Sequence, residues 1–494
     1  MARGWFTPVR LAGALGGVAA FAALLFLDSP LHHVAGADGR PARAAAVAAM
    51  MAIFWLTEAL PINVTACLPL VFFPLLGVFP GGFAENTAAT AIPYADPYIW
   101  LFMGGMALAA AMQEWDLHRR IALRIMRAIG TEPKRLLFGL LLATAAISMW
   151  ISNTATATMM LPIGMAIIAQ LEAQSGGRRL RHYGGSLMLA IAYAANLGGI
   201  GTKIGTAPNA QFAGFCSKTF GIEIPFLGFM ALGVPFVAAF LPVIWFALWR
   251  TGRHDAPHTP ATVVEEELRR LGPMKREEKI VLALFAATSA LWIASQPLTA
   301  LLRPLGSRLV SDFGAKYVEG GTSLLAAAAV IAIRMVSFRQ LRTVPWATLL
   351  LLGGAFSMAA GIEKSGLSTW LGEQLYLLRH ATPFAQVAFA SFGSVLLSAV
   401  ASNTATVSVL LGVLYRAVSP VVAMPALSAV TIAASCDFML PAGTPPNAIV
   451  FGSGYVTIPR MAKTGCLLDL AAAALAAAWC WLVAGALFGT PSGG

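Results

Sequence analysis

Apolar residues in this chain do not recur at one helical or strand period. They come in runs of about 20, the length a helix needs to cross roughly 30 Å of hydrocarbon, separated by short polar segments. Read in order, the runs predict spans at about Val9 to Leu27, Ala44 to Leu56, Asn63 to Phe79, and from Leu101 to just before Glu114. Further spans start near Ser186, run from Phe226 to Trp249, Ile280 to Leu302 and Ser323 to Val336, lie around Leu352, break at Leu440, and run from Cys466 to Leu487, eleven in all. Two pairs of runs are too short to cross, about 15 residues at 1.5 Å each: Leu136 to Trp150 with Met159 to Leu171, and Phe384 to Val400 with Val407 to Val418. Between the members of each pair lies the same polar phrase, Ser152-Asn153-Thr154 in the first and Ser402-Asn403-Thr404 in the second. Each pair is predicted to be a re-entrant hairpin that turns within the membrane.

Two other departures from the apolar pattern carry information. From Asp116 to Gly130, Leu117, Ile121 and Ile125 alternate with Arg119, Arg120, Arg124 and Arg127, the pattern of an amphipathic helix in the membrane interface. Asn196 to Asn209 and Leu440 to Asn447 interrupt spans with Gly and Pro, which is tolerated at depth only where backbone lines protein or a cavity. The two halves share a plan: Gly104-Gly105 corresponds to Gly353-Gly354, and Thr206-Ala-Pro-Asn209 to Thr444-Pro-Pro-Asn447. An odd number of crossings separates the copies, so they are predicted to be inverted, with a binding site where they meet.

Of the 494 residues, 58% are hydrophobic and 11% charged, which excludes a soluble multidomain protein. The net charge of +11 does not indicate nucleic acid, because the basic residues sit in short loops beside spans, as the positive-inside rule expects. The loop from Pro80 to Pro97 has no Lys or Arg and is placed outside. The apolar run after Arg3 and Arg10 ends at Asp28-Ser29-Pro30, a poor cleavage site, and reads as a retained first span with the N-terminus in the cytoplasm. The expected protein is one integral domain over 1–494 in a bacterial-type inner membrane, with repeats at about 44–250 and 279–489 and a connecting loop at 251–278. The five cysteines and seven histidines show no metal-ligand spacing. Apart from Lys203 and Asp437 no titratable set lies at depth, so an enzyme is not expected.

Each phrase and each break starts a half-helix near the membrane centre. Ser, Asn and Thr are good N-caps, and a helix start also offers free N–H groups and partial positive charge to an anion. The hydroxyls and amides of Ser152, Asn153, Thr154, Thr202, Thr206, Ser402, Asn403, Thr404 and Thr444 add donors that suit carboxylate or sulfate oxygens. Their oxygens and the carbonyls freed at the breaks suit a small hard cation.

On Thr57-Glu-Ala-Leu-Pro61, Ser152-Asn-Thr154, Gly205-Thr-Ala-Pro-Asn209, Ser402-Asn-Thr404 and Phe438-Met-Leu-Pro-Ala-Gly-Thr-Pro-Pro-Asn447, the sequence resembles the divalent anion/Na+ symporter family of di- and tricarboxylate and sulfate transporters. The resemblance covers nearly the whole chain. It implies an all-α polytopic fold of eleven transmembrane helices plus two hairpins, scaffold and transport domains moving as an elevator, and a homodimer. It implies substrate carboxylates at Asn153, Thr154, Asn403, Thr404, Thr444 and Pro445. It also implies one Na+ site at Ser148, Ser152, Asn153 and Gly201, and a second at Ser398, Ala401, Asn403 and Gly443.

Lys203 and Asp437 depart from the family's pattern, standing where apolar or small residues are usual. Intramembrane charges are costly and mark function by default. Lys203 is expected either to occupy or electrostatically replace the first cation site, or to snorkel or form an ion pair with Asp437 that only locks the fold. The function that follows is secondary transport of a small dianion, a C4-dicarboxylate first, coupled to Na+ or with Lys203 in place of one cation. The alternatives are Na+-independent exchange, H+ coupling, or sulfate as substrate.

Overall fold

The structure is a computed structural model that describes residues 7–34, 36–257, 262–308, 313–374 and 376–489, so Arg3 and His258 fall outside the described residues. Those residues form α-helices with three short 3-10 segments between them, and no strand is among them. Pro8–Phe26, Asn153–Gln174, Phe226–Gly252 and Ile458–Phe488 are each long and apolar enough to cross a membrane. The expected count of eleven rests on the shorter helices between them.

Three expected elements differ in form. The run from Ile280 to Leu302 is not one rod: Arg276–Ile293 and Ser295–Gly306 meet at a bend of 74°, where Pro297 has no N–H to return to the preceding turn. The segment from Asn63 to Phe79 is split into Ile62–Thr65 and Leu68–Leu76. The polar stretch after Pro80 is largely helical, Phe83–Ala91, and the Gly82 amide donates to Glu85 Oε2 at 2.7 Å at its start.

The arginine-rich helix forms as Leu117–Ile129, but one of its charges is not interfacial. Arg120 is buried and donates to Glu278 Oε2 at 2.6 Å and to the Gly272 carbonyl at 2.8 Å. This helix is therefore docked on the connecting segment, whose helix Val263–Leu271 packs against it, and it is not simply floating in headgroups.

At both phrases the chain turns between two helices, but the first outgoing arm is longer than expected, since Asn153–Gln174 alone is long and apolar enough to cross a membrane. Pro133–Ser148 turns into Asn153–Gln174, and Pro383–Ser398 turns into Asn403–Ala417. Proline opens each incoming arm at a position where its missing N–H costs nothing. The incoming arms pack on Arg181–Gly199 and Ala423–Ser435, the helices that lead into the two breaks. The helices that leave the breaks cross over. Ala207–Thr219 packs on the second hairpin's outgoing arm, and Pro445–Phe451 on the first hairpin's. Gln211 Nε2 donates to Ser408 Oγ at 2.9 Å across one of these contacts. The Tyr455 hydroxyl, just beyond Pro445–Phe451, lies 3.1 Å from both Glu172 oxygens across the other. Each half thus holds the other's hairpin, which brings both tips to the same place.

Pro97–Glu114 lies along Ala315–Ala332 and also touches Ala207–Thr219, at the side of this assembly. Gly104 makes that approach possible, since a methyl there would collide with the Ser323 backbone.

Candidate functional site

The two tips and the two breaks enclose a cavity of about 600 Å³, well within the range of small-molecule sites. Ser152, Asn153, Thr154, Thr206, Ser402, Asn403, Thr404, Thr444 and Pro445 all lie on its wall, as do Ala401 and Gly443. Thr202 does not: it is fully buried, and its hydroxyl donates to the Met149 carbonyl behind the first tip. Ser148, Ser398 and Gly201 also stand behind the wall. Trp55, Thr57 and Thr348 complete one side, a contribution that the repeated phrases give no hint of.

No Lys, Arg or His is among the described residues that line the cavity. Among those described residues the one charged side chain is Glu58, which follows helix Arg40–Thr57 and is paired with Arg10 at 3.0 Å. Attraction for an anion must come from donors and dipoles. Helices Asn153–Gln174, Asn403–Ala417 and Ala207–Thr219 start at the wall and aim their N-termini at the space. The short helix behind Thr444 begins Pro445-Pro446, which have no N–H to offer.

At that fourth point the hydroxyl supplies the donor instead. Thr444 Oγ1 accepts from Asn196 Nδ2 at 2.9 Å and from the Asn447 amide at 3.4 Å, which leaves its own proton free to point outward. Ser152 and Ser402 make no side-chain capping bond although they occupy N-cap positions, so their hydroxyls are also uncommitted.

Behind each tip lies a matched oxygen cluster. Ser148 Oγ is 2.7 Å from the Ala195 carbonyl and 3.0 Å from Asn153 Oδ1. Ser398 Oγ is 2.7 Å from the Ala434 carbonyl and 2.7 Å from Asn403 Oδ1. Each serine has one proton to share between two acceptors, so each cluster holds more lone pairs than donors. That imbalance fits a small hard cation, whose ligands are oxygens. With Oδ1 turned to this cluster, the amide nitrogens of Asn153 and Asn403 remain for an anion. Gly199, not Gly201, is the glycine that meets Asn153 Oδ1, and a methyl at 199 would collide with it. Gly201 lies under Met149.

The breaks are locked in the same way. Asn209 Nδ2 donates to the Gly199 and Thr202 carbonyls at 2.8 and 2.6 Å. Asn447 Nδ2 donates to the Asp437 and Leu440 carbonyls at 3.2 and 2.9 Å. The equal spacing makes Gly199 and Asp437 counterparts.

The expected pair between Lys203 and Asp437 does not form. Lys203 Nζ lies 2.6 Å from Glu319 Oε2 on Ala315–Ala332, and both side chains are buried. Tyr98 presents its ring to the ammonium at 5.3 Å. The other Glu319 oxygen accepts from the Phe226 amide at 2.7 Å and from Ser295 Oγ at 2.8 Å. Glu319 was legible only as an acid just ahead of the run from Ser323 to Val336, and Asp469, a second buried acid near Asp437, as a lone acid inside the run from Cys466 to Leu487.

The family described as "Sodium:sulfate symporter transmembrane region" matches residues 13–491. The chain is 36% identical over 443 residues to the sodium-dependent dicarboxylate transporter SdcS of Staphylococcus saprophyticus, covering 86% of this chain and 82% of that one. It is 36% identical over 447 residues to SdcS of Staphylococcus aureus strain USA300, covering 87% and 83%. The crystal structure of the Alcanivorax borkumensis YdaH transporter shares the fold, with a TM-score of 0.55 and 14% identity over 98% of this chain and 99% of that one. The doubled tips, the doubled breaks and a family match over almost its whole length together show that the chain belongs to the sodium:sulfate symporter family of multi-pass membrane transporters.

Proposed function

We propose that this chain is a secondary active transporter that couples inward movement of a small dicarboxylate, a C4 acid first, to Na+. The observation that carries the reading is the matched pair of oxygen clusters, Ser148–Asn153–Ala195 and Ser398–Asn403–Ala434, behind an anion site with no cationic side chain among its described residues. A dianion in such a cavity needs positive charge from elsewhere. Helix starts supply roughly half an elementary charge each, and a Na+ behind each tip adds a full charge. The names of the Staphylococcus relatives, sodium-dependent dicarboxylate transporters, support the same substrate and the same ion.

In this reading the substrate carboxylates meet the Asn153 and Asn403 amide nitrogens and the Thr154, Thr404, Thr206 and Thr444 hydroxyls, with Pro445 as an apolar wall. Na+ contributes only charge and fixed geometry at the tips. The tips, breaks and their partner helices form the moving part of an inverted-repeat elevator, eleven helices cross the membrane, and two copies assemble through the remaining helices. Lys203 is committed to Glu319 in the described conformation, which supports Na+ at both clusters over an ammonium standing in for one.

Purified protein in liposomes tests the reading. Labelled succinate should accumulate when an inward Na+ gradient is imposed, and neither K+ nor internal succinate should substitute. Uptake of sulfate but not succinate would move the substrate class, and uptake that requires internal succinate regardless of Na+ would establish exchange.

A further inference from the structure

Three residues after the Ala434 carbonyl of the second oxygen cluster the chain carries a buried acid, Asp437, where the first half has Gly199. Asp437 is 1% exposed, and neither carboxylate oxygen has a hydrogen-bond partner. The Met439 amide approaches it without reaching hydrogen-bond geometry. No described Lys, Arg or His forms an ion pair with it.

Its position is specific. The carboxylate fills the place where a side chain at 443 would begin, so that a methyl on Gly443 would strike both of its oxygens. Gly443 is on the wall of the substrate cavity, and Asp437 follows Ala434, whose carbonyl belongs to the Ser398–Asn403 cluster, by three residues along the chain. The Asp437 carbonyl accepts from Asn196 Nδ2 at 2.9 Å, and Asn196 Oδ1 and the buried Tyr193 hydroxyl are likewise without partners. Asp469 lies within electrostatic range, 4% exposed, and accepts from the Phe438 amide at 2.9 Å. Asp437 therefore faces Gly443 with a second acid in electrostatic range, and no cationic side chain among the described residues is paired with it. An isolated charge at depth is strongly unfavourable unless something neutralises it. At the equivalent point of the first half the chain has Gly199, and the nearby charge, Lys203, is already neutralised by Glu319.

We propose that the Asp437 carboxylate is a direct, charged ligand of the cation held at the second tip, so that this site binds Na+ more tightly than the first and is the one that fills before substrate arrives. The proposal rests on the two-cation reading above and adds a ligand of a different kind to one of its sites. Asp469 deepens the negative field there without touching the ion. Gly443 is required as glycine because the carboxylate occupies its side-chain space.

Binding of labelled Na+ to the purified full chain in detergent, without substrate and with choline as the replacement cation, tests this directly. Thermal unfolding against Na+ concentration gives a second readout. Wild type should bind Na+ and be stabilised by it. Asp437→Asn should raise the Na+ concentration for half-saturation by about ten-fold or more, the loss of one full charge at contact distance in a protein interior. It should also be no less stable than wild type when Na+ is absent. If Asp437→Asn cannot be purified, Gly443→Ala, whose methyl displaces the carboxylate, should show the same loss. Unchanged Na+ binding in either variant overturns the proposal and leaves the two-cation reading standing. A wild type that binds no Na+ while succinate uptake follows a pH gradient overturns both, since Asp437 is then a neutral acid.

Discussion

Lys203 Nζ lies 2.6 Å from Glu319 Oε2, and this buried pair ties the first break to helix Ala315–Ala332. Glu319 is also bonded to the Phe226 amide and to Ser295 Oγ, so the acid is fixed from three directions and the lysine comes to it. Removing one member of a buried pair leaves the other uncompensated at a cost of about 3–5 kcal/mol, whereas replacing both is close to neutral. Lys203→Met should accordingly unfold at clearly lower temperature in detergent, and the double variant Lys203→Met with Glu319→Gln should recover most of the loss.

The same pair sets an expectation for coupling. With its ammonium on Glu319, Lys203 is not serving the Ser148–Asn153 cluster. The double variant Lys203→Leu with Glu319→Gln should therefore keep the wild-type Na+ dependence of succinate uptake. A variant that newly acquires Na+ dependence, or needs more Na+ ions per succinate, would restore the ammonium as a substitute cation.

Ser148 and Ser398 hold equivalent places, each within 3.0 Å of its asparagine oxygen. Ser148→Ala and Ser398→Ala should each raise the Na+ concentration for half-maximal uptake by about ten-fold, the worth of one polar contact to a charged group. The apparent succinate affinity at saturating Na+ should move much less. An effect on succinate alone would place these serines on the substrate instead.

Thr444 accepts two N–H groups and has one proton to give. Thr444→Val keeps the shape, removes the donor and leaves Asn196 short of an acceptor. The KM for succinate should rise by about ten-fold or more, while binding of Na+ in the absence of substrate should be nearly unchanged.

Outside the membrane-spanning part, Arg120 and Glu278 join the arginine-rich helix to the connecting segment. Burial by itself raises the Glu278 carboxyl, and the Arg120 hydrogen bonds together with the Lys275 amide overcome this and leave it below the usual range. A carboxyl held low in the folded state stabilises above its unfolded pKa, and that contribution disappears as the pH falls through the folded value. Arg120→Ala should therefore lower the unfolding temperature at pH 7, and the gap from wild type should narrow below about pH 4.

Most of the site was legible in the sequence because its signals are local. Ser-Asn-Thr between short apolar runs marks a hairpin tip, and Thr-x-Pro-Asn marks a break, since Gly and Pro cannot continue a lipid-facing helix. The site's donors follow from these phrases, and all but Thr202 reach the cavity wall. What was not legible depends on contacts between segments far apart in the chain. Lys203 has Asp437 as an obvious opposite charge, but the crossing helices leave Asp437 facing Gly443 and turn Lys203 toward Glu319. Arg120 reads as one of four equivalent arginines until the connecting segment covers it. The bend after Ile293 had a local signal in Pro297, obscured by an otherwise uniform apolar run.

The central claim is that a dianion is held between two matched tips, each with a cation behind it. Simultaneous measurement of labelled Na+ and labelled succinate fluxes into liposomes, under a fixed membrane potential, tests that claim most directly. At least two Na+ should enter with each succinate, one for each cluster, and Ser148→Ala or Ser398→Ala should depress both fluxes together. Succinate flux that proceeds at full rate with no accompanying Na+ would contradict it.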